Sequence, residues 1–257
     1  MSDIKRKLLS PERENMILQA LGEGIQTITE LSKKLNVSEA TVRRDLQSLE
    51  LQGKAKRVHG GAVRTKFPRT EPLFTEKAGF QTTEKQSIVD KALDFIANDD
   101  TIFLDGGSTV LGIAKKLKNK KNLTIVTNSL MAAAELMESG HQLIIVGGEF
   151  RPLSRTVVGP LTARLIEPLS ISKAFMGTIG FSLEDGISTT APSEAYTKEL
   201  VMRKAAKVII LADSSKIGTP SLVTSGSLDD IDVLITDSGI SDKAVKELRK
   251  KKIEVVF

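Results

Sequence analysis

The sequence contains no cysteine and no tryptophan, one tyrosine, and two histidines, His59 and His141. Without cysteine there are no disulfides and no thiolate chemistry. Two histidines cannot build a His/Cys cluster of metal-binding spacing, which leaves a carboxylate-only site as the one open route to a metal; no metal and no cofactor are expected. No apolar run approaches the roughly 20 residues needed to cross a bilayer. The opening M-S-D-I-K-R-K-L-L-S lacks the apolar stretch of a signal peptide, so a cytoplasmic chain with no membrane partner is expected. Neither a fixed-period repeat nor a low-complexity tract is present, which argues against a solenoid.

Charge, by contrast, is present and unevenly placed. The first 66 residues carry thirteen Lys or Arg against eight Asp or Glu, so the whole net charge of +5 falls there, and residues 67–257 balance at 24 against 24. That asymmetry predicts a nucleic-acid-facing head on a neutral body. A length of 257 residues exceeds the common size of one domain, and the expected division is a head over 1–66, a linker over 67–82 and a body over 83–257. The body is long enough to bury a sizeable core.

Within the head, Thr27 to Glu50 reads as two helices broken at Asn36-Val37-Ser38, with Ser38 placed to cap the second. This is a helix-turn-helix. Val42, Leu46 and Leu49 recur on one face and must meet a core, leaving Thr41, Arg44, Gln47 and Ser48 outward and Arg43 on the flank. Such donors and acceptors read base edges or grip phosphates, so Ser38, Thr41, Arg43, Arg44, Gln47 and Ser48 are candidate contacts to double-stranded DNA. An earlier helix is signalled by Ser10 as cap, Pro11 at the first helical position and Glu12 and Glu14 in the first turn, with Ile17, Ala20 and Leu21 on a shared face. After Gly53, K-A-K-R-V-H-G-G-A-V-R (Lys54 to Arg64) predicts a short basic strand with a Gly-Gly turn, and Ile25 to Ile28 offers it a strand partner. The head is therefore read as a winged helix-turn-helix. Lys54, Lys56, Arg57 and Arg64 could be a solvated charge run, but their place behind a capped recognition-type helix favours DNA. His59 either touches a phosphate or packs beside the turn.

V-S-E-A-T-V-R-R-D-L followed by R-V-H-G-G-A resembles the signature of the DeoR family of bacterial transcriptional regulators, whose members join such a head to a sugar-phosphate-sensing domain. The resemblance continues to about residue 220.

Between head and body, Lys66 to Lys77 holds two prolines and no helical period, which predicts an extended linker with Phe67, Leu73 and Phe74 docked on something. A helix is expected near Thr83, as a cap before Glu84, with Ile88, Ala92, Phe95 and Ile96 on one face. Short apolar runs follow at 101–104, 123–126, 143–146, 174–176, 208–211 and 233–236, separated mostly by helix-length segments. This alternation predicts an α/β body with a mainly parallel sheet buried on both faces. Ligands in such sheets collect beyond the carboxyl ends of the strands.

Those ends are small and polar. Asp105-Gly106-Gly107-Ser108-Thr109 opens a helix: the glycines let backbone N–H groups approach an anion and the hydroxyls add donors. The loop reads as a phosphate cradle or as a plain strand-to-helix turn; it is neither a nucleotide P-loop nor a dinucleotide fingerprint. Thr127, Asn128 and Ser129 follow the second run, Gly147-Gly148 with Arg151 the third, and Ala212 to Lys216 the fifth. Arg151 and Lys216 are the cations that an anion site needs and that reach this edge.

The resemblance implies a body similar in fold to ribose-5-phosphate isomerase and the CoA-transferases, carried by D-G-G-S-T, T-N-S, G-G-E-F-R, G-I-S-T-T, Glu194 with Lys198, and L-A-D-S-S-K-I-G. It implies that Ser108, Thr109 and Lys216 hold phosphate while Asp105, Asn128 and Glu194 meet sugar hydroxyls, with loop bracing as the alternative for Asp105. The expected function is a repressor of a sugar or sugar-alcohol catabolic operon, a homodimer or homotetramer without catalytic residues, relieved by a phosphorylated metabolite. The alternative is a sugar-phosphate isomerase-like enzyme with Glu194 and Lys198 as an acid–base pair. It ranks second because Gly177 to Ser182, where the isomerase has an acidic stretch, holds no carboxylate. A purely architectural DNA-binding protein would not need so polar a sheet edge.

Overall fold

The computed structural model describes residues 10–22, 24–51, 54–64 and 71–257, and the chain divides into two compact units, Met1–Thr70 and Glu71–Phe257.

The first unit contains α1 (Ser10–Gly22), β1 (Gln26–Thr27), α2 (Ile28–Leu35), α3 (Glu39–Leu51), β2 (Ala55–Val58) and β3 (Gly61–Arg64), its strands forming an antiparallel sheet of order β1-β3-β2. Local chemistry sets the helix ends. Thr27 and Glu30 form a capping box at the start of α2. Asn36 ends that helix in the left-handed region, φ 52°, returning its N–H to Ser32 and Lys33. Ser38 Oγ accepts the Thr41 N–H at 3.3 Å to cap α3. Ile17, Leu21, Leu31, Val42, Leu46 and Leu49 are buried together, as the helical periods require. The wing turn differs from the expected Gly-Gly turn. His59 and Gly60 make it, with Gly60 at φ +78°, while Gly61 already pairs with Thr27 in β3, where a Cβ would lie 2.2 Å from the Gln26 carbonyl oxygen and only glycine fits. Phe67, and the side chains of Ser10, Pro11, Glu12 and Arg64 on which their expected roles rest, lie outside what the structure describes.

The second unit runs α4 (Phe74–Gly79), α5 (Thr82–Leu93), β4 (Thr101–Leu104), α6 (Ser108–Ala114), β5 (Thr124–Thr127), α7 (Leu130–Leu136), β6 (Gln142–Ile145), β7 (Glu149–Arg151), β8 (Thr156–Val158), α8 (Pro160–Ile166), β9 (Ile171–Gly177), β10 (Gly180–Ser182) and β11 (Gly186–Thr189). It continues with α9 (Pro192–Lys204), β12 (Ala205–Leu211), β13 (Val223–Gly226), β14 (Val233–Ile235), α10 (Asp242–Lys250) and β15 (Glu254–Val256). Seven strands form one parallel sheet of order β15-β14-β12-β9-β4-β5-β6. Successive side chains alternate between two cores: Phe103, Val126, Ala174, Met176 and Ile210 enter one, while Ile102, Leu104, Ile125, Phe175 and Ile209 enter the other. Both faces are thus buried at the central strands, whose C-terminal halves read as apolar runs, while Lys173 and Lys207 enter β9 and β12 nearer their starts. Two small antiparallel sheets, β7-β8 and β10-β11-β13, lie outside this sheet.

Three expectations need correction. The six expected runs omit β15, where Glu254 interrupts the apolar residues between Ile253 and Phe257. The supposedly extended linker carries α4: Glu76 Oε2 accepts the Leu73 N–H at 2.8 Å, Phe74 is buried, and its N–H donates to the Leu153 carbonyl at 3.0 Å. A single turn and a half offers no period to read, and Pro72 just before it suggests a break. Helix α5 starts at Thr82 after Gln81 in the left-handed region, so Thr83 is not its cap.

Candidate functional site

The structure gathers the expected DNA contacts of the first unit on α3 and the wing. Arg43, Arg44 and Gln47 are exposed, and Thr41 and Ser48 are half-buried. Arg43 stands 3.6 Å from Glu39 one turn earlier, and Ser38 Oγ lies 2.9 Å from Thr41 Oγ1. In the wing, Lys56, Arg57 and His59 are exposed and Lys54 is half-buried. Glu50 Oε1 accepts the Arg57 N–H at 3.1 Å, tying wing to helix. Sequence reasoning missed the pair beneath this surface: Asp45, nearly inaccessible on the inner side of α3, is held by Arg13 of α1. Only an acid on an otherwise apolar face hinted at it.

In the second unit the strand ends of β12, β9, β4 and β5 are consecutive in the sheet, so the loops after them share one edge. Asp105 follows β4 and is buried; its Oδ2 accepts the Gly177 N–H at 3.1 Å and pairs with the Lys198 ammonium. Lys198 also donates to the Gly177 carbonyl at 2.9 Å and lies 3.9 Å from Glu194. Glu194 accepts from Thr189 Oγ1 at 3.0 Å and lies 3.3 Å from Arg151. Arg151 donates to Glu71 at 2.6 Å and to Thr190 Oγ1 at 2.9 Å, and Lys77 closes the chain on Glu71 at 2.7 Å.

Three carboxylates and three cations therefore alternate through a largely buried network, which is how burial of so many charges is compensated. Burial pushes the Glu71 carboxyl up, yet Lys77 and Arg151 with Thr190 outweigh it and hold the group at about 2. Burial wins at Glu194, aided by Glu71 and Asp105 against Lys198 and Arg151, and raises its carboxyl above the usual range. At Lys198 burial is outweighed by Asp105 and Glu194, which keep the ammonium charged.

Glu71 and Lys77 were not expected here. They come from the segment read as linker, and no motif marks them.

The Gly106-Gly107-Ser108-Thr109 turn stands beside this network. Gly107 has φ +140°, and a Cβ on Gly106 would lie 1.9 Å from Thr156 Cγ2, so close packing, besides any anion, demands that glycine. Ser108 Oγ donates to the Lys77 carbonyl at 3.3 Å, and Thr109 is buried. Lys85 of α5, another residue missed, donates to the Phe80 carbonyl at 2.5 Å and to the Lys77 carbonyl. Burial lowers the Lys85 ammonium to about 8, with Asp213 opposing the shift and Lys216 and Lys77 adding to it. The loop after β12 carries Lys216 two strands from β4 along the same sheet edge.

Not every expected ligand contact is available. Thr127 Oγ1 donates to the Leu104 carbonyl at 2.7 Å and accepts the Ser129 N–H at 3.0 Å, and Ser129 Oγ accepts the Ala132 N–H at 3.2 Å to cap α7. Both side chains are sealed from solvent and hold the scaffold. Asn128 between them is different: its Nδ2 donates to the Val157 carbonyl at 3.3 Å, while its buried Oδ1 has no partner among the described residues. Also among the described residues, no group of three or more His, Asp or Glu could hold a metal ion, and no helix is long and apolar enough to cross a membrane.

A winged helix-turn-helix unit followed by an α/β unit with a polar, cation-lined sheet edge defines a ligand-responsive DNA-binding transcriptional regulator. Residues 13–66 match the DeoR-like helix-turn-helix domain and residues 80–238 match the DeoR C terminal sensor domain, so the chain belongs to the DeoR family. It is 34% identical over 250 residues to the HTH-type transcriptional regulator GlpR of Haloferax volcanii, covering 97% of this chain and 98% of that one. It is 32% identical over 246 residues to the transcriptional repressor AccR of Agrobacterium fabrum, covering 93% and 95%. Among solved structures, ribose 5-phosphate isomerase from Plasmodium falciparum aligns at a TM-score of 0.38 and 19% identity, covering 52% of each chain.

Proposed function

We propose that this regulator represses a sugar or sugar-alcohol catabolic operon in the cytoplasm, and that a phosphorylated sugar or sugar alcohol releases it from its double-stranded operator. The observation that carries this reading is the convergence of Ser108 and Lys85 on the Lys77 carbonyl, with Lys216 on the loop after β12 along the same sheet edge, next to a buried polar network that can receive hydroxyls. Phosphate belongs at that convergence. Asn128, whose Oδ1 has no partner among the described residues, accepts a sugar hydroxyl and Glu194 another, while Asp105, spent on Lys198 and the Gly177 N–H, braces the loop. Thr127 and Ser129 hold the loop that carries Asn128.

Release follows by linkage: the effector must bind the arrangement that does not hold DNA better than the one that does. A single winged head covers too little DNA for tight selectivity, so a homodimer or homotetramer reads paired half-sites. The chain binds its effector without converting it, since Gly177 to Ser182 supplies no carboxylate for proton transfer.

A thermal-shift screen of the full-length protein against hexose, pentose, tagatose and glycerol phosphates tests this. A ligand at 100 times its dissociation constant adds roughly 2.7 kcal/mol, and the hit should release operator DNA and be recovered chemically unchanged. Lys216→Ala should erase the preference for the phosphorylated over the free sugar. A screen in which no sugar phosphate stabilises the protein or moves it off DNA refutes the reading, and a converted ligand restores the isomerase alternative.

A further inference from the structure

Three donors converge on one backbone oxygen in the second unit. The carbonyl of Lys77, near the end of α4, accepts the Phe80 N–H at 3.4 Å, Ser108 Oγ at 3.3 Å and the Lys85 ammonium. A carbonyl oxygen offers two lone pairs, so one donor is always served poorly. It is also a neutral acceptor for a cation, where an oxyanion would make the stronger, charge-assisted bonds. Charges of both signs act on the Lys85 ammonium: Lys216 and Lys77 disfavour it, and Asp213 and Glu84 favour it.

Helix α4 belongs to a segment pinned at two places. At its start Glu71 is gripped by Arg151, Thr190 and Lys77, and at its end the Lys77 and Phe80 carbonyls are clasped by Ser108 and Lys85. Upstream of Glu71 the chain continues through residues 65–70 into the DNA-binding unit.

We propose that the Lys77 carbonyl is an internal stand-in for the effector's anionic group. A phosphate taking Ser108 Oγ and Lys85 Nζ displaces that carbonyl, frees the last turn of α4, and so transmits occupancy to the segment that leads to the DNA-binding unit. Lys85 thereby becomes both an anion ligand and the latch. The inference rests on the proposed anion site but adds to it a specific competitor and a direction of coupling.

Inorganic phosphate is the probe, added to the full-length protein, with binding followed by ³¹P line broadening and amide hydrogen exchange read along the chain. Phosphate should speed exchange of the Lys77 amide, which donates to the Leu73 carbonyl, roughly tenfold while leaving the β4 and β9 amides unchanged, since one charge-assisted bond is worth about that factor. Lys85→Gln should weaken phosphate binding roughly tenfold and leave α4 exchanging fast with no phosphate present. Ser108→Ala, a smaller change, should shift both readouts the same way. Phosphate binding that leaves α4 exchange unaltered or slows it overturns the latch while keeping the anion site. Absence of phosphate binding overturns the site and the latch together.

Discussion

Arg13 on α1 holds Asp45 on α3 through two parallel hydrogen bonds, Nε to Oδ2 at 2.7 Å and Nη2 to Oδ1 at 2.9 Å. This fork fixes the recognition helix from its buried side, so the outward face of α3 depends on an ion pair that never meets DNA. The pair is part-buried, so removing one partner costs more than the loss of an exposed pair and less than the about 3–5 kcal/mol of a fully buried one. Asp45→Ala should therefore unfold or loosen the head and abolish operator binding, while the melting transition of the second unit and its effector response persist. Operator affinity equal to that of the parent protein would contradict this role.

On the opposite face, Arg43 is tied to Glu39 by an exposed pair of little worth, so it can be redirected to DNA at small cost. Arg44→Ala or Arg43→Ala should weaken operator binding by about 1–3 kcal/mol if the side chain reads a base edge, with loss of discrimination between operators. A uniform loss with the salt slope reduced by about one marks a phosphate contact instead. Titrations at several salt concentrations decide between them, and undiminished binding by the double variant argues against α3 as the reading helix.

Glu71 gives the second unit an acid limb. Its carboxyl sits at about 2 against an ordinary 4.5, so the stability it contributes is present above 4.5 and is lost as pH falls from there toward 2. The shift corresponds to about 3 kcal/mol. Glu194 is shifted the other way, in part by Glu71 itself, so the difference between parent and Glu71→Gln reads Glu71 together with the relief it gives Glu194. Denaturant curves should show the variant less stable near neutral pH, with the gap closing below pH 4.

Lys85 makes effector binding pH-sensitive on the alkaline side. Its ammonium is lowered to about 8, while a phosphate monoester has already lost its second proton near pH 6. Affinity for a phosphorylated effector should fall as pH rises through about 8, and Lys85→Gln should flatten that fall. Stability runs oppositely: burying the charged form is unfavourable below 8, and that penalty lifts as the lysine deprotonates between 8 and its ordinary 10.5. Calorimetric titrations across pH 7 to 9 provide the check.

Much of this molecule is written locally. Ser38, Thr27 and Asn36 mark helix ends through bonds that span three or four residues, and the apolar periods of α3 and the runs of β4, β9 and β12 state which faces are buried. Those signals depend only on chain stereochemistry and the hydrophobic effect, so the head, the parallel sheet and the Asp105–Thr109 turn could all be located from residue order. The charge excess of the first 66 residues likewise points to DNA before any coordinate is known.

Tertiary structure decided the rest. Arg13 with Asp45, Arg151 with Glu71 and Lys198 with Asp105 are separated by 32, 80 and 93 positions, and no local pattern couples charges at such spacing. Helix α4 is too short to show a period, so Glu71 and Lys77 read as linker until the fold carried them beneath the sheet edge. Thr127 and Ser129 looked as available as Asn128, because which of three adjacent polar side chains is spent on the backbone depends on where neighbouring strands and helices place their N–H and carbonyl groups. Capping and periodicity act within a few residues and survive in the sequence; charge pairing and burial act through space, and only the folded chain settles them.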